Sequence, residues 1–246
     1  MVQDKMNDSE QINLFASEQS FESEKGKEGA STSPQTWEQI PYNPEIPISL
    51  GTYQNFEELA VHCRQCHRCE LAKTRTQVVI SRGTPNADVM IIGEAPGQSE
   101  DEQGLPFVGK SGQLLDKILA SVELSVEEDV YISNIVKCRP PENRTPLAKE
   151  ITICKSYLLE QIRLIDPKII LFTGATALKG LTGEKKGITK IRGQWLEWEG
   201  RWARAIFHPA YLLRNPSREK GKPKWLMWQD IQAVRQKLDE IREVQE

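Results

Sequence analysis

No apolar run in this chain is long enough to cross a bilayer. The longest clean stretch is Ile169 to Phe172, against the roughly 20 residues a spanning helix needs. The N-terminus, MVQDKMNDSEQ, has no apolar core of the kind that directs secretion. Only five cysteines occur in 246 residues. That is too few for a disulfide scaffold, and the odd number fits reduced thiols in a cytoplasmic setting. Histidine is scarcer still, with three. A Walker loop and a GxGxxG fingerprint are both absent, so nucleotide-cofactor binding has no support. Internal repeats are absent too. What remains is length enough for one ordinary domain plus a tail.

The net charge of −3 averages two unlike parts. Residues 1–50 carry three Lys/Arg against nine Asp/Glu, whereas residues 51–246 carry 29 against 26. From Lys185 to Lys224 there are eleven basic and three acidic residues. Such a field draws polyanions; a solvated charged surface is the plainer reading. Residues 1–50 are rich in Ser, Glu, Gln, Asn and Gly, then broken by Pro41, Pro44 and Pro47. Their few apolar residues follow no period and cannot offset ordering entropy, so a disordered acidic tail is expected there. A domain is expected over 51–246.

Apolar spacing predicts helices over 55–68, 111–121, 147–165 and 225–244, and strands at 88–93, 130–135 and 168–173. Trp195–Trp198 and Trp202–Phe207 bracket Gly200 as a hairpin or strand pair. Apolar strands alternating with helices imply a parallel sheet covered on both faces. Ligands of such sheets sit beyond the carboxyl ends of the strands. The segments to inspect are therefore GEAPG, NIVKCRPPENR, TGATAL and HPAYLLRNP.

Cys63, Cys66 and Cys69 follow a C-x2-C-x2-C spacing, with Cys138 and Cys154 far downstream. A redox dithiol normally opens a helix after a strand, and this run closes one. A zinc ribbon needs a second tight knuckle, which a pair sixteen residues apart does not supply. An iron–sulfur cluster tolerates scattered thiolates; Cys138 and Cys154 also read as small core residues. Phe107 lies in a loop between Pro106 and Val108, placed either to stack on a flat ligand or to plug the core. His208 follows a strand and precedes Pro209, which holds its backbone extended at the rim. Leu212, Leu213, Arg214 and Arg218 then offer leucines beside cations, a pattern suited to wedging stacked bases and anchoring phosphate. A core leucine pair is the alternative.

From Cys66 to Leu238 the chain resembles family 4 uracil-DNA glycosylases, the iron–sulfur type of bacteria and archaea. The matching pieces are C-x2-C-x-L-x3-RT, GEAPG with GxPFVGxxGQLLD, NIVKCRPPxNRxP and HPAYLLRNPS. The resemblance implies a three-layer α/β/α fold around a central four-stranded parallel sheet. It implies a [4Fe-4S] cluster on Cys66, Cys69, Cys138 and Cys154, with Cys63 spare and Arg139 and Arg144 nearby to face phosphate. It implies uracil in DNA as substrate, stacked on Phe107 in a pocket with Gly93, Glu94 and Ala95. Asn134 suits the O4/N3–H edge of uracil and mismatches cytosine. His208 is the donor to O2 as charge develops there. Family 1 enzymes orient water with an Asp in GQDPYH, where this chain has Ala95. Glu100 is the expected substitute, with Asn143 second.

The expectation is thus a monofunctional, monomeric, cytoplasmic repair enzyme acting on single- or double-stranded DNA, its tail free to dock a replication or repair partner. Two rivals stand beside it: a cluster-bearing nucleic-acid accessory of a DNA polymerase without glycosylase activity, and a structural zinc protein.

Overall fold

The computed structural model describes residues 42–244. Strands β2 (Val89–Gly93), β3 (Val130–Asn134) and β4 (Ile169–Thr173) are buried along their whole length. Near-continuous apolar sequence is what a strand covered on both faces requires. With β6 (Arg201–Ile206) they form a parallel core in the order β3-β2-β4-β6. The expected four-stranded parallel centre is present. It is extended at its edges by two short antiparallel strands, β1 (Arg82–Gly83) and β5 (Trp195–Trp198), giving six in all. β5 and β6 form the expected hairpin, turning on Glu199 and Gly200, both with positive φ (51° and 72°). Such two-residue turns match the twist of the paired strands.

Residues alternate between two cores. Val89, Ile91, Val130, Ile132, Ile169 and Leu171 face α3 (Lys110–Ala120), α7 (Pro209–Arg214) and α8 (Pro223–Glu243). Met90, Ile92, Tyr131, Ile170 and Phe172 face α4 (Ala148–Ile165) and α5 (Ala175–Thr182). Each fully buried Ile or Leu of these layers contributes about 1.5–3 kcal/mol. A third cluster joins α1 (Phe56–Arg64) to α4 through Leu59, Cys63 and Tyr157. Ile48 is buried in that cluster and Tyr42 packs on His62 (ring centroids 4.9 Å apart), so the packed body begins before residue 51. The rest of the expected tail lies outside the described residues. Two further helices, α2 (Gln98–Gln103) and α6 (Ile188–Ile191), carry too little apolar period to be read from sequence.

Candidate active site

The loops beyond the carboxyl ends of β2, β3, β4 and β6 enclose an open cleft of about 670 Å³. Asn134 ends β3 there, 2% exposed, with its Oδ1 unpaired. Gly93 stands beside it in register. A Cβ on Gly93 would lie 2.3 Å from Asn134 Oδ1 and 2.6 Å from the Phe107 ring, so only glycine lets the amide and the phenyl ring approach.

Phe107 has φ of 55°, an unusual conformation for a bulky side chain and worth about 1–3 kcal/mol of strain. Three groups hold it. Arg82 donates from Nε to Pro106 O (2.8 Å) and from Nη2 to Phe107 O (3.1 Å), and pairs with Asp116 at 2.5 Å. Gly112 gives the Phe107 backbone room, since a Cβ there would meet its carbonyl oxygen at 1.7 Å. Glu100 accepts the Val108 and Gly109 amides through Oε1 (3.0 and 2.8 Å) and that of Gly97 through Oε2 (3.1 Å).

His208 caps α7, with Pro209 as its first residue. Its Nδ1 accepts the Ala210 N–H at 3.2 Å. The ring proton therefore sits on Nε2. Burial, then the Arg214 charge, pushes the imidazole down to about 4 against the opposing pull of Glu100. At neutral pH the cleft holds an uncharged N–H donor of fixed orientation. The ring lies 5.6 Å from that of Phe107, at 28° between planes. A base inserted between two rings needs roughly 7 Å, two contact distances, so the pair leaves no room for a flat ligand between its rings.

Glu94, Ala95, Asn143, Arg144 and Arg214 also line the cleft. Glu100, expected to orient water, is committed to backbone amides. Asn143 Oδ1 accepts Arg139 Nε at 2.8 Å, leaving its NH2, a donor that cannot take a proton from water. Glu94 is the lining carboxylate whose oxygens make no hydrogen bond or ion pair among the described residues. Arg144 is engaged with Glu150 by two bonds (2.9 and 2.7 Å), and Glu150 is held below its ordinary range chiefly by that contact. Leu212 is not part of a wedge: it is 1% exposed and packs in the core, because α7 turns it inward. Leu213 is 45% exposed, and Arg214 and Arg218 are exposed. Arg82 carries no signal in a single sequence, since its work is to position a neighbouring backbone; Gly112 lies within the GxPFVGxxGQLLD match, but its contact with the Phe107 backbone shows only in the fold.

All five cysteines line a second, small cavity with Arg68, Arg75, Lys137 and Tyr157. Arg75 Nη1 donates to Cys138 Sγ at 3.2 Å, and the Lys137 amide to Cys154 Sγ at 3.3 Å. Arg68 is 2% exposed with Nε and Nη1 unpaired. Carboxylates are missing from the lining. Burial pushes the Cys69 thiol up, and the Cys138 thiol up to about 11. Protonated thiols leave these cations without a counter-charge, whereas metal-bound thiolates supply one. Among the described residues no group of His, Cys, Asp or Glu is arranged to hold a single metal ion. Zinc draws its sulfurs to about 2.3 Å of one point; thiols spread around a cavity fit a polynuclear cluster better.

The model of the uracil DNA glycosylase superfamily matches residues 80–232. A type-4 uracil-DNA glycosylase of Thermotoga maritima is 44% identical over 181 residues, 73% of this chain and 92% of that protein. One of Sulfurisphaera tokodaii is 39% identical over 74% of this chain and 84% of its own length. A DNA polymerase of Bacillus phage SP01 is 40% identical over 135 residues, 55% of this chain but 14% of the polymerase.

Proposed function

The chain belongs to the uracil DNA glycosylase superfamily, and we propose that it excises uracil from DNA by hydrolysing the N-glycosidic bond, leaving an abasic site. The observation that carries this reading is the His208 imidazole, its Nδ1 taken by the Ala210 N–H so that Nε2 is left to donate, beside the Phe107 ring in the cleft that holds Asn134.

The target nucleotide leaves the stack at a cost of a few kcal/mol. Its base lies against Phe107, and the Asn134 amide pairs with O4 and N3–H. Cytosine offers the opposite hydrogen-bond sense at both positions and leaves the buried amide unpaired, which rejects it strongly. As the C1′–N1 bond breaks, charge moves onto the base and the sugar becomes cationic. His208 Nε2–H meets the charge at O2, a role worth about 2.7–4 kcal/mol for one fixed donor. Water bonds to C1′ and its proton leaves with uracil. Glu94, unpartnered at the cleft wall, is the group suited to orient that water and to steady the sugar; Glu100 fixes the Phe107 loop. Arg214, Arg218 and Arg139 provide cations for the phosphates, and Leu213 the apolar wedge.

Cys66, Cys69, Cys138 and Cys154 would hold a [4Fe-4S] cluster. When bound it supplies a cross-link between the end of α1, the loop after β3 and α4. The cations facing the thiols support this assignment. The thiol-rich site also supports a reducing, cytoplasmic setting, and no helix among the described residues is long and apolar enough to cross a membrane. The enzyme is proposed to act as a monomer.

The test is excision assayed on uracil, hypoxanthine and thymine in single- and double-stranded oligonucleotides. Release of uracil with thymine untouched is expected; no release of uracil sinks the reading. The match within a phage DNA polymerase favours one second reading, an accessory module for a polymerase, which predicts DNA binding without base release.

A further inference from the structure

Thr173 ends β4, fully buried in the run Ile169–Thr173 and the one polar side chain in that strand. Its Oγ1 has no hydrogen-bond partner among the described residues, yet the residue lines the catalytic cleft. Buried hydroxyls are nearly always satisfied, because desolvating one without a partner is costly. A Val here would pack equally well and carry no such cost.

Its place in the sheet says what the hydroxyl is for. Gly93 pairs with Asn134, and Thr173 with Ile206. The β2–β4 register pairs Ile92 with Phe172, and one residue on it sets Gly93 beside Thr173. Asn134, Gly93 and Thr173 thus form one row across three strands, on the face that carries Ile91, Ile132 and Leu171. Gly93 contributes no side chain, and the Phe107 ring lies over it beside Asn134 Oδ1, so the row reads as polar group, phenyl ring, polar group. The two outer strands are about 9.6 Å apart, two strand spacings, which sets the two polar groups on either side of the ring. Their oxygens, Asn134 Oδ1 and Thr173 Oγ1, are both unpaired among the described residues. Beyond Thr173 comes His208: a Cβ on Gly174 would lie 3.4 Å from His208 Cβ and 3.7 Å from Cδ2. Thr173 therefore stands between the Asn134 end of the base slot and the imidazole.

We infer that the Thr173 hydroxyl is a second donor to the base oxygen that takes up charge, acting beside His208 Nε2–H. The inference rests on the glycosylase reading and adds a catalytic residue to it. Asn134 identifies the base at one end of the row; Thr173 and His208 share the leaving charge at the other. The lone hydroxyl is a stability cost in the free enzyme, recovered when the base enters.

The test uses the full-length enzyme with single-turnover release of uracil from a single-stranded oligonucleotide. Thr173→Val keeps the side-chain shape and removes the donor. Its release rate is expected to fall at least tenfold. Its affinity for an abasic oligonucleotide should stay within twofold and its melting temperature should be no lower than wild type. Thr173→Ser should recover the rate to within threefold. A Thr173→Val enzyme that works within twofold of wild type overturns the inference. So does one whose rate, abasic-site affinity and melting temperature all fall together, which marks a packing role. In both cases wild-type activity leaves the parent reading intact. Failure of the wild-type enzyme to release uracil sinks both.

Discussion

The imidazole of His208 and the phenyl ring of Phe107 are partners, 5.6 Å apart and 28° from coplanar, although 100 residues lie between them in the chain. One ring is fixed by the Ala210 amide and the other by Arg82, Gly112 and Glu100. His208→Ala should raise the excision barrier by about 2–4 kcal/mol, the size of one lost preorganised donor. The pH behaviour follows from the same environment. The folded imidazole titrates near 4, below its ordinary 6.5. Between those values the unfolded chain binds the proton and the folded one does not. Stability from this group is therefore full above pH 6.5 and is lost as pH falls toward 4. Uracil release should show no inflection near 6.5. An NMR titration of the His208 ring carbons checks the shift directly, and an ordinary midpoint would refute the fixed neutral donor.

The two carboxylates of the cleft should separate cleanly. Glu100→Gln replaces a charged acceptor of three amides by a group with one oxygen and one NH2, so at least one amide faces a donor. A loss of roughly 1–3 kcal/mol in unfolding free energy is expected, with weaker substrate binding as the Phe107 loop slackens. Glu94→Gln disturbs no protein contact and should leave stability within about 0.5 kcal/mol, while slowing the chemical step. Urea melts and single-turnover rates on both variants decide it; the reverse pattern would return the water-orienting role to Glu100.

What sequence could and could not reveal has a physical pattern. β2, β3 and β4 are buried on both faces and read as near-continuous apolar runs, so the sheet centre and the cleft above it were legible. Asn134 and His208 stand at or just past strand ends, where the chain must turn, Phe107 stands in the loop between α2 and α3, and their partners in the motifs marked all three. α2 is QSEDEQ, with no apolar stripe to reveal a helix. Glu100 therefore read as a free loop acid, when its position in the first turn of that helix turns it onto backbone amides. The leucine pair failed for a related reason. Read as a loop, Leu212 and Leu213 are equivalent; in a helix starting at Pro209, one faces the core and its neighbour cannot.

That distinction sets the outcome of two single changes. Leu213→Ala removes an exposed side chain and should alter stability by less than about 0.5 kcal/mol. It should slow excision from duplex DNA more than from single strands, since a wedge serves only where a base must be drawn from a stack. Leu212→Ala empties a core site and should cost about 2–5 kcal/mol, with activity on both substrates lost in proportion to unfolding. Thermal melts beside paired single- and double-strand assays would show the contrast; equal sensitivity of both substrates to Leu213→Ala would remove the wedge role.

The cysteine cavity separates an iron–sulfur centre from a structural zinc and from plain packing. Protein purified under argon should be brown, with a broad absorption near about 400 nm from thiolate-bound iron and matching iron and sulfide contents. Cys154→Ser removes a proposed ligand and should lose the colour, the iron and much of the thermal stability. Cys63→Ser should keep the iron, because Cys63, although it lines the same cavity, lies outside the proposed set of four. Arg68→Met tests the charge argument: without the buried guanidinium, whose Nη2 donates to Ile46 O while Nε and Nη1 are unpaired, the anionic centre loses a compensating cation and should be released faster to a chelator. Zinc in place of iron would replace the cluster with a structural ion, and a metal-free protein of full stability would reduce the five thiols to core packing.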